Sequence, residues 1–282
     1  MNISASVEKA IAGRWIAGYC PKDALDRTAF LNSKKISTII NYLGEEVKDK
    51  RKVAEAVETY LHLIGEFRKR HMGAALSIKP TQIGMRINRG LMHSNYSKIV
   101  KEAKRNGIFV WLDMESSDTV DGTISLYMDC IRQGNTGICI QAYLRRSMAD
   151  SIELARHGAT IRLVKGAYST RPELRYGSRH GTDMNYMKIM RMLFEKSRRF
   201  MIATHDSRII NEAIRENRHA RKKVSFAMLN GIRNTYAMRL ARSGLDMNLY
   251  VPFGSDWVGY GLRRLTEQRH LSLIVRSMFE TQ

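Results

Sequence analysis

Several short apolar runs in this sequence end on a polar side chain able to handle a charged ligand: Lys79 after ALSI, Asp113 after FVWL, Gln141 after GICI, Lys165 after RLV, and Thr204-His205-Asp206 after FMIA. Arg162 is more telling, because it sits inside the apolar run TIRLV, where a charge must be paired or must touch an anion. Taken singly, each of these reads as a salt-bridged cap on the end of a strand. Brought together on one rim, they make a ligand site. A second constellation follows near the C-terminus: Tyr250, then Tyr260, Arg263, Arg264 and Glu267. The last four are spaced i, i+3, i+4, i+7, which places them on one stripe of one helix. Two adjacent arginines there form a fork for a carboxylate or a phosphate, with Glu267 set to hold Arg263 across one turn. A solvated ion-pair face is the plainer alternative, and Tyr260 on the same stripe argues for a shaped pocket instead.

The elements that must position these groups repeat from about residue 36 onward. Eight runs rich in β-branched or aromatic residues (ISTIINYL, AALSIKPTQ, IFVWLDME, GICIQAYL, TIRLVKGAY, FMIATHD, VSFAMLNG and LYVPFG) alternate with helix-period stretches. Those stretches include EEVKDKRKVAEAVETYLHLIGEF, NYSKIVKEAKRN, DTVDGTISLYMDCIRQ, MADSIELARH, MNYMKIMRMLFEKS and RIINEAIREN. Four R-x-G triplets (Arg105–Gly107, Arg132–Gly134, Arg156–Gly158 and Arg242–Gly244) fall where a helix should stop. Glycine suits the left-handed position there, and arginine suits the negative end of the helix dipole. Ser116, Ser147, Asp206 and Ser255 stand where N-caps are wanted. Strand and helix alternating eight times predict an α/β fold, a (β/α)8 TIM-type barrel over residues 36–282 with extra N-terminal helices over 1–35, and an active site at the C-terminal ends of the strands. A doubly wound open sheet would usually carry a Gly-rich phosphate loop after its first strand, and none is present.

Bulk properties bound the function. An apolar fraction of 44% over 282 residues supports a large folded core and excludes a disordered chain. Three cysteines with no CxxC spacing argue against a disulfide framework or a structural zinc site. The first twenty residues are broken by Glu8, Lys9 and Arg14, so they lack a signal-peptide core, and no apolar run approaches the roughly 20 residues needed to cross a bilayer. A soluble, cytoplasmic protein is the expectation. The 47 Lys and Arg against 27 Asp and Glu give a formal charge of +20, scattered through most helical segments with runs at Lys48–Lys52 and His219–Lys223. No basic stripe interleaved with aromatics appears, so no nucleic acid is expected. A solvated basic shell able to touch anionic membrane head groups from the inner face is the preferred meaning.

The stretches LSIKPTQIG, WLDMES, IQAYLRR, RLVKGAY, ATHD, FAMLNGIR and YVPFGSDWVGYGLRRLTE resemble, in order and spacing, those of the proline dehydrogenase family, from about Trp15 to Glu267. The resemblance implies a flavin-binding barrel of the short, monofunctional form, which oxidises L-proline to Δ1-pyrroline-5-carboxylate in proline catabolism. It implies hydride transfer to FAD, with electrons passed to a quinone. It places Lys79 and Asp113 beside the substrate, Leu229, Tyr250 and Tyr260 around the pyrrolidine ring, and Arg263 and Arg264 on the carboxylate. Asp113 and Arg162 are the catalytic candidates. Around the cofactor it sets Met114, Gln141, Arg162, Val164, Lys165, Gly166, Ala167, Tyr168, Thr204, His205 and Glu267, with Arg162 near flavin N5.

This chain departs from the family pattern in two places. Ser178-Arg179 precedes Asp183, Asn185 and Tyr186 where many members have Thr-Lys, and Ala227 and Asn230 replace bulkier polar residues of the seventh-strand motif. Two other readings stay open at this point. One is a related flavin barrel acting on hydroxyproline or a pterin-type substrate. The other is a non-catalytic basic barrel that binds nucleic acid or lipid.

Overall fold

A computed structural model describes the backbone of residues 15–266 and the side chains of residues 15–261. A helix, α1 (Pro21–Ser33), precedes the first strand, β1 (Ser37–Tyr42). There follow α2 (Lys50–Lys69), β2 (Ala74–Ile78), α3 (Arg89–Arg105), β3 (Phe109–Leu112), α4 (Val120–Cys130), β4 (Thr136–Gln141), α5 (Ser147–Arg156) and β5 (Thr160–Val164). The chain continues through α6 (Arg179–Lys196), β6 (Arg199–Ala203), α7 (Ser207–Ala220), β7 (Lys223–Leu229), α8 (Asn234–Arg242), β8 (Met247–Phe253) and α9 (Trp257–Thr266). All eight expected strands are present, each parallel to its neighbours. They close into one barrel when β8 pairs with β1 over six residues, from Ser37 opposite Asn248 to Tyr42 opposite Phe253.

The local rules that shape these elements are visible in the side chains. On α2, Val53, Ala56, Val57, Tyr60, Leu63, Ile64 and Phe67 are buried at helical spacing, so one stripe faces the strands. Asp206 caps α7 by accepting from the backbone N–H of Arg208 at 3.0 Å. The glycines of all four R-x-G triplets adopt positive φ, between 71° and 89°. Ser147 is instead the first residue inside α5, where its hydroxyl turns back to the carbonyl of Gln141. The first turn of α9 begins at Trp257, two residues beyond Ser255. The expected helix over EEVKDK starts late, at Lys50 with Asp49 as its cap. Tertiary ion pairs override helix propensity there: Glu46 takes a left-handed conformation (φ 57°) and accepts from Arg86 at 2.7 and 2.9 Å across the rim.

Strand alternation sorts the residues into two layers. One parity packs outward against the helices and forms the main core. The other points inward, where Ile39, Trp111, Met201 and Ala227 fill the barrel. Gly137 shares that inward parity, and a Cβ there would lie 2.5 Å from the Trp111 ring and 2.9 Å from the Thr160 carbonyl. Gly137→Ala is therefore expected to overpack the barrel, costing about 1–3 kcal/mol and lowering the melting temperature by several degrees. A thermal melt checks this, and an unchanged midpoint would contradict it.

Candidate active site

The inward parity also carries the polar residues, and they converge above the apolar filling. Asp113, one residue beyond β3, is the hub. Its Oδ1 accepts from Ser77 Oγ at 2.7 Å and from Arg162 Nη2, and its Oδ2 accepts from Tyr250 OH at 2.8 Å and from Lys79 Nζ at 3.4 Å. Lys79 reaches Asn41 Oδ1 at 3.2 Å, and Asn41 in turn donates to the Ser77 carbonyl at 2.9 Å. Four strands (β2, β3, β5 and β8) thus meet at one carboxylate, and β1 joins through Asn41 and Lys79. The Arg162 guanidinium is held 5.2 Å from the Trp111 ring centre and 5.5 Å from that of Tyr250. Burial alone would push the Asp113 carboxyl up, but the Arg162 and Lys79 cations outweigh it and hold the group below the usual carboxylate range. The Tyr250 phenol is pushed far up, first by burial and then by the Asp113 charge.

Beyond this hub the strand ends of β4 to β8 open into a cavity of about 410 Å³. It is lined by the expected Lys79, Asp113, Met114, Gln141, Arg162, Val164, Lys165, Gly166, Ala167, Tyr168, Thr204, His205, Leu229, Tyr250 and Tyr260. Among the expected site residues, only the side chains of Arg263 and Arg264, on α9, and the whole of Glu267 lie outside the described residues. Two buried groups on the cavity wall have polar atoms unmatched among the described residues: Arg162 Nε and Nη1, and Gln141 Oε1. Such groups are costly to bury without partners, and both residues line the cavity.

The far side of the cavity is braced by ion pairs. Lys165 Nζ lies 2.7 Å from Asp183 and 3.0 Å from Asp206, and Arg208 joins both carboxylates. Asp206 is held below the usual carboxylate range although burial opposes this, because Arg208 and Lys165 donate to it. Gly166 sits at φ 102° with the Tyr143 ring where a Cβ would be, so the 165–168 loop hugs the wall. His205 Nε2 accepts from the Leu229 N–H at 3.2 Å and so fixes the backbone of that wall residue. In the departing motif, Ser178 caps α6, Asn185 Nδ2 donates to the Ala142 carbonyl at 2.8 Å, and Tyr186 OH donates to the Leu163 carbonyl at 2.9 Å. Arg179 also lines the cavity.

Sequence reasoning missed Ser77 and Asn41 in the hub, and Cys139, Arg208 and Arg233 on the cavity wall. The signal for the first two was available: each is a polar residue inside an apolar strand, the same anomaly that singled out Arg162.

Glu115, two residues past Asp113, is 1% exposed and accepts from the Thr81 backbone N–H at 3.0 Å and from its hydroxyl at 2.6 Å. Burial pushes its carboxyl up from 4.5 to about 7. A raised carboxyl binds its proton more tightly in the fold than in the unfolded chain, so stability falls as pH rises from about 4.5 to 7. Glu115→Gln keeps the shape of the protonated form. It is expected to stabilise the protein at pH 8 by up to about 3 kcal/mol and to lose that advantage near pH 4. Melting temperatures across pH check this, and a gain that does not depend on pH would contradict it.

The comparisons with known proteins agree with this geometry. The sequence model of the proline dehydrogenase family matches residues 24–276. The chain is 30% identical over 264 residues to proline dehydrogenase 2 of Bacillus subtilis (strain 168), covering 92% of this chain and 87% of that one. It is 29% identical over 280 residues to the proline dehydrogenase of Deinococcus radiodurans, covering 96% and 90%. Among solved structures it superposes on proline utilization A from Bdellovibrio bacteriovorus, inactivated by N-propargylglycine, with a TM-score of 0.87 at 22% identity. That likeness covers 97% of this chain but only 34% of the solved one, so the chain spans about a third of that protein's length and the likeness speaks for the fold. With the family matched over nearly the whole barrel and over every described strand that builds the cavity, the chain belongs to the proline dehydrogenase family and is an oxidoreductase acting on proline.

Proposed function

We propose that the cavity holds FAD against the rims of β4 to β6 and L-proline against those of β7 and β8, yielding Δ1-pyrroline-5-carboxylate. The observation that carries this is Arg162, a buried cation with two guanidinium nitrogens unmatched among the described residues, at the wall of a cavity of about 410 Å³. The donor set fits a flavin. Arg162 and Arg179 offer positive charge, Gln141 offers an acceptor, and Val164, Lys165, Gly166 and Ala167 offer a close edge, with Met114, Tyr168, Thr204 and His205 completing the wall. Glu267 belongs to the same set. When bound, FAD supplies the acceptor for the hydride that leaves the ring carbon next to nitrogen.

The chain's own residues do the rest. Arg263 and Arg264 grip the carboxylate, and Leu229, Tyr250 and Tyr260 wall the ring, so the substrate is held in one orientation. Arg162, fixed by Asp113, places positive charge where negative charge develops. Asp113 is committed to four donors and held below the usual carboxylate range, so it acts as the fixed anion that sets Lys79, Arg162 and Tyr250 rather than as acceptor of the amine proton.

We take a quinone as the electron acceptor, and the basic shell as the part of the protein that touches anionic lipid at the membrane's inner face. No helix among the described residues is long and apolar enough to cross a membrane. The test is dye reduction driven by L-proline, with Arg162→Met alongside. That variant is expected to slow flavin reduction about 10²–10³-fold, the usual loss for one charge-stabilising donor. A wild-type rate in Arg162→Met would contradict the role given to Arg162. A yellow protein inert to L-proline would turn the reading towards hydroxyproline or a pterin-type substrate.

A further inference from the structure

The segment ahead of α1 packs behind the wall of the cavity, against Tyr260, Leu229 and Tyr250. Ala17 N donates to the Pro252 carbonyl at 2.8 Å and Gly254 N donates to the Gly18 carbonyl at 3.0 Å, so residues 17–18 lie along the end of β8. Asn230, 3% exposed and just beyond β7, grips the same segment from the other side. Its Nδ2 donates to the Trp15 carbonyl at 3.3 Å, while its Oδ1 accepts from Arg27 Nε and Nη2, on α1, at 3.1 and 2.9 Å. Its backbone N–H donates to the Tyr250 carbonyl at 2.9 Å. One side chain therefore ties α1, the segment before it and the β7 rim together.

What this clip holds in place is an apolar cluster separate from the main core. Trp15 and Ile16, 2% and 4% exposed, pack with Leu43, Ile232 and Tyr260, and Leu229, Tyr250 and Trp257 lie against them. The three side chains that wall the ring in the reading above are thus backed by residues that belong neither to the barrel strands nor to their following helices. Tyr260 sits one turn ahead of Arg263 and Arg264 on α9, so whatever sets Tyr260 also sets the register of the arginine pair.

We propose that Trp15 is a positioning residue for substrate binding. The strap from Trp15 to Gly18, clipped by Asn230, holds Tyr260 and α9 against the cavity and so sets the affinity for L-proline. The inference rests on the reading of Leu229, Tyr250 and Tyr260 as the wall of the proline pocket. A small displacement of a positioned wall weakens ground-state capture of the ring, and the cofactor's own contacts on the β4 to β6 side are untouched.

The test uses the flavin-loaded full chain. Trp15→Ala is expected to raise KM for L-proline about tenfold or more, with kcat and flavin content close to wild type, and Trp15→Phe is expected to restore KM. Arg27→Ala, which lies outside the cavity and only loosens the clip, is expected to raise KM in the same direction by about threefold. A fall in melting temperature with KM unchanged in both Trp15→Ala and Arg27→Ala would overturn the proposal. Should Trp15→Ala fail to fold, Arg27→Ala decides it: a raised KM supports the strap, and an unchanged KM overturns it. Tyr260→Ala separates the two levels. A raised KM there with none in the strap variants rejects the strap and keeps the pocket, whereas an unchanged KM in Tyr260→Ala rejects both.

Discussion

Replacing Arg263 and Arg264 together by methionine is expected to abolish proline turnover while the protein keeps its fold and its flavin. Each arginine is assigned a charge-assisted hydrogen bond to the substrate carboxylate, worth about 1.5–3 kcal/mol, so losing both costs about 10²–10⁴ in kcat/KM. The assignment follows from position. β8 ends at the cavity with Tyr250 on its wall, α9 begins four residues later at Trp257, and Tyr260 on its first turn is buried at the cavity edge. Residues 263 and 264 follow Tyr260 at i+3 and i+4, on the same stripe. Methionine preserves length and helix propensity, so the expected loss appears first as a rise in KM, with the flavin spectrum unchanged. Steady-state kinetics over a wide range of proline concentration checks this, and an unaltered KM would refute the carboxylate fork.

Asp113→Ala is expected to have the largest effect on stability of any single change in the barrel, about 3–5 kcal/mol. The reason is the company it keeps: removing the carboxylate leaves Arg162 and Lys79 as buried cations sharing one site, with Ser77 and Tyr250 also losing an acceptor. Asp113→Asn keeps the shape but removes the charge, so its loss relative to the wild type isolates the cost of uncompensated charge, and the further loss in Asp113→Ala measures shape and hydrogen bonding. The pH dependence has a definite sign. Because the folded carboxyl lies below its ordinary value of 3.8, its stabilisation is present above that value and is lost as pH falls below it. Denaturant unfolding at neutral and acid pH is the measurement. A loss under about 1 kcal/mol for Asp113→Ala would show the hub to be weakly coupled.

The barrel was legible because its punctuation is local. Eight runs of strand-forming residues, and glycines after arginines at helix ends, need no knowledge of the rest of the chain, and a strand stands at every one of the eight. The polar residues at strand ends were legible for the same reason: an ionisable group that terminates or interrupts an apolar strand has few innocent explanations. What escaped was whatever depends on a distant partner. Nothing near EEVKDK announces that Glu46 will meet Arg86 across the rim and delay α2, or that Glu45 will accept from Tyr168 at 2.8 Å. Ser77 carried the signal of a polar residue inside an apolar strand, but its partners Asp113 and Arg162 lie 36 and 85 positions away. Asn230 stood out only as smaller than the family pattern, and its link between Arg27 and Trp15 spans more than 200 positions of sequence. The basic charge was visible from composition alone, yet many of its members are absorbed by surface ion pairs such as Arg146 with Asp121 and Asp150.

The measurement that bears most directly on the whole account is the visible absorbance of the purified protein, recorded without oxygen before and after L-proline is added. A flavin spectrum that bleaches with L-proline, and fails to bleach in the Arg263→Met, Arg264→Met chain at the same concentration, is the expected result. A colourless protein, or flavin bands that L-proline leaves unchanged, would contradict it.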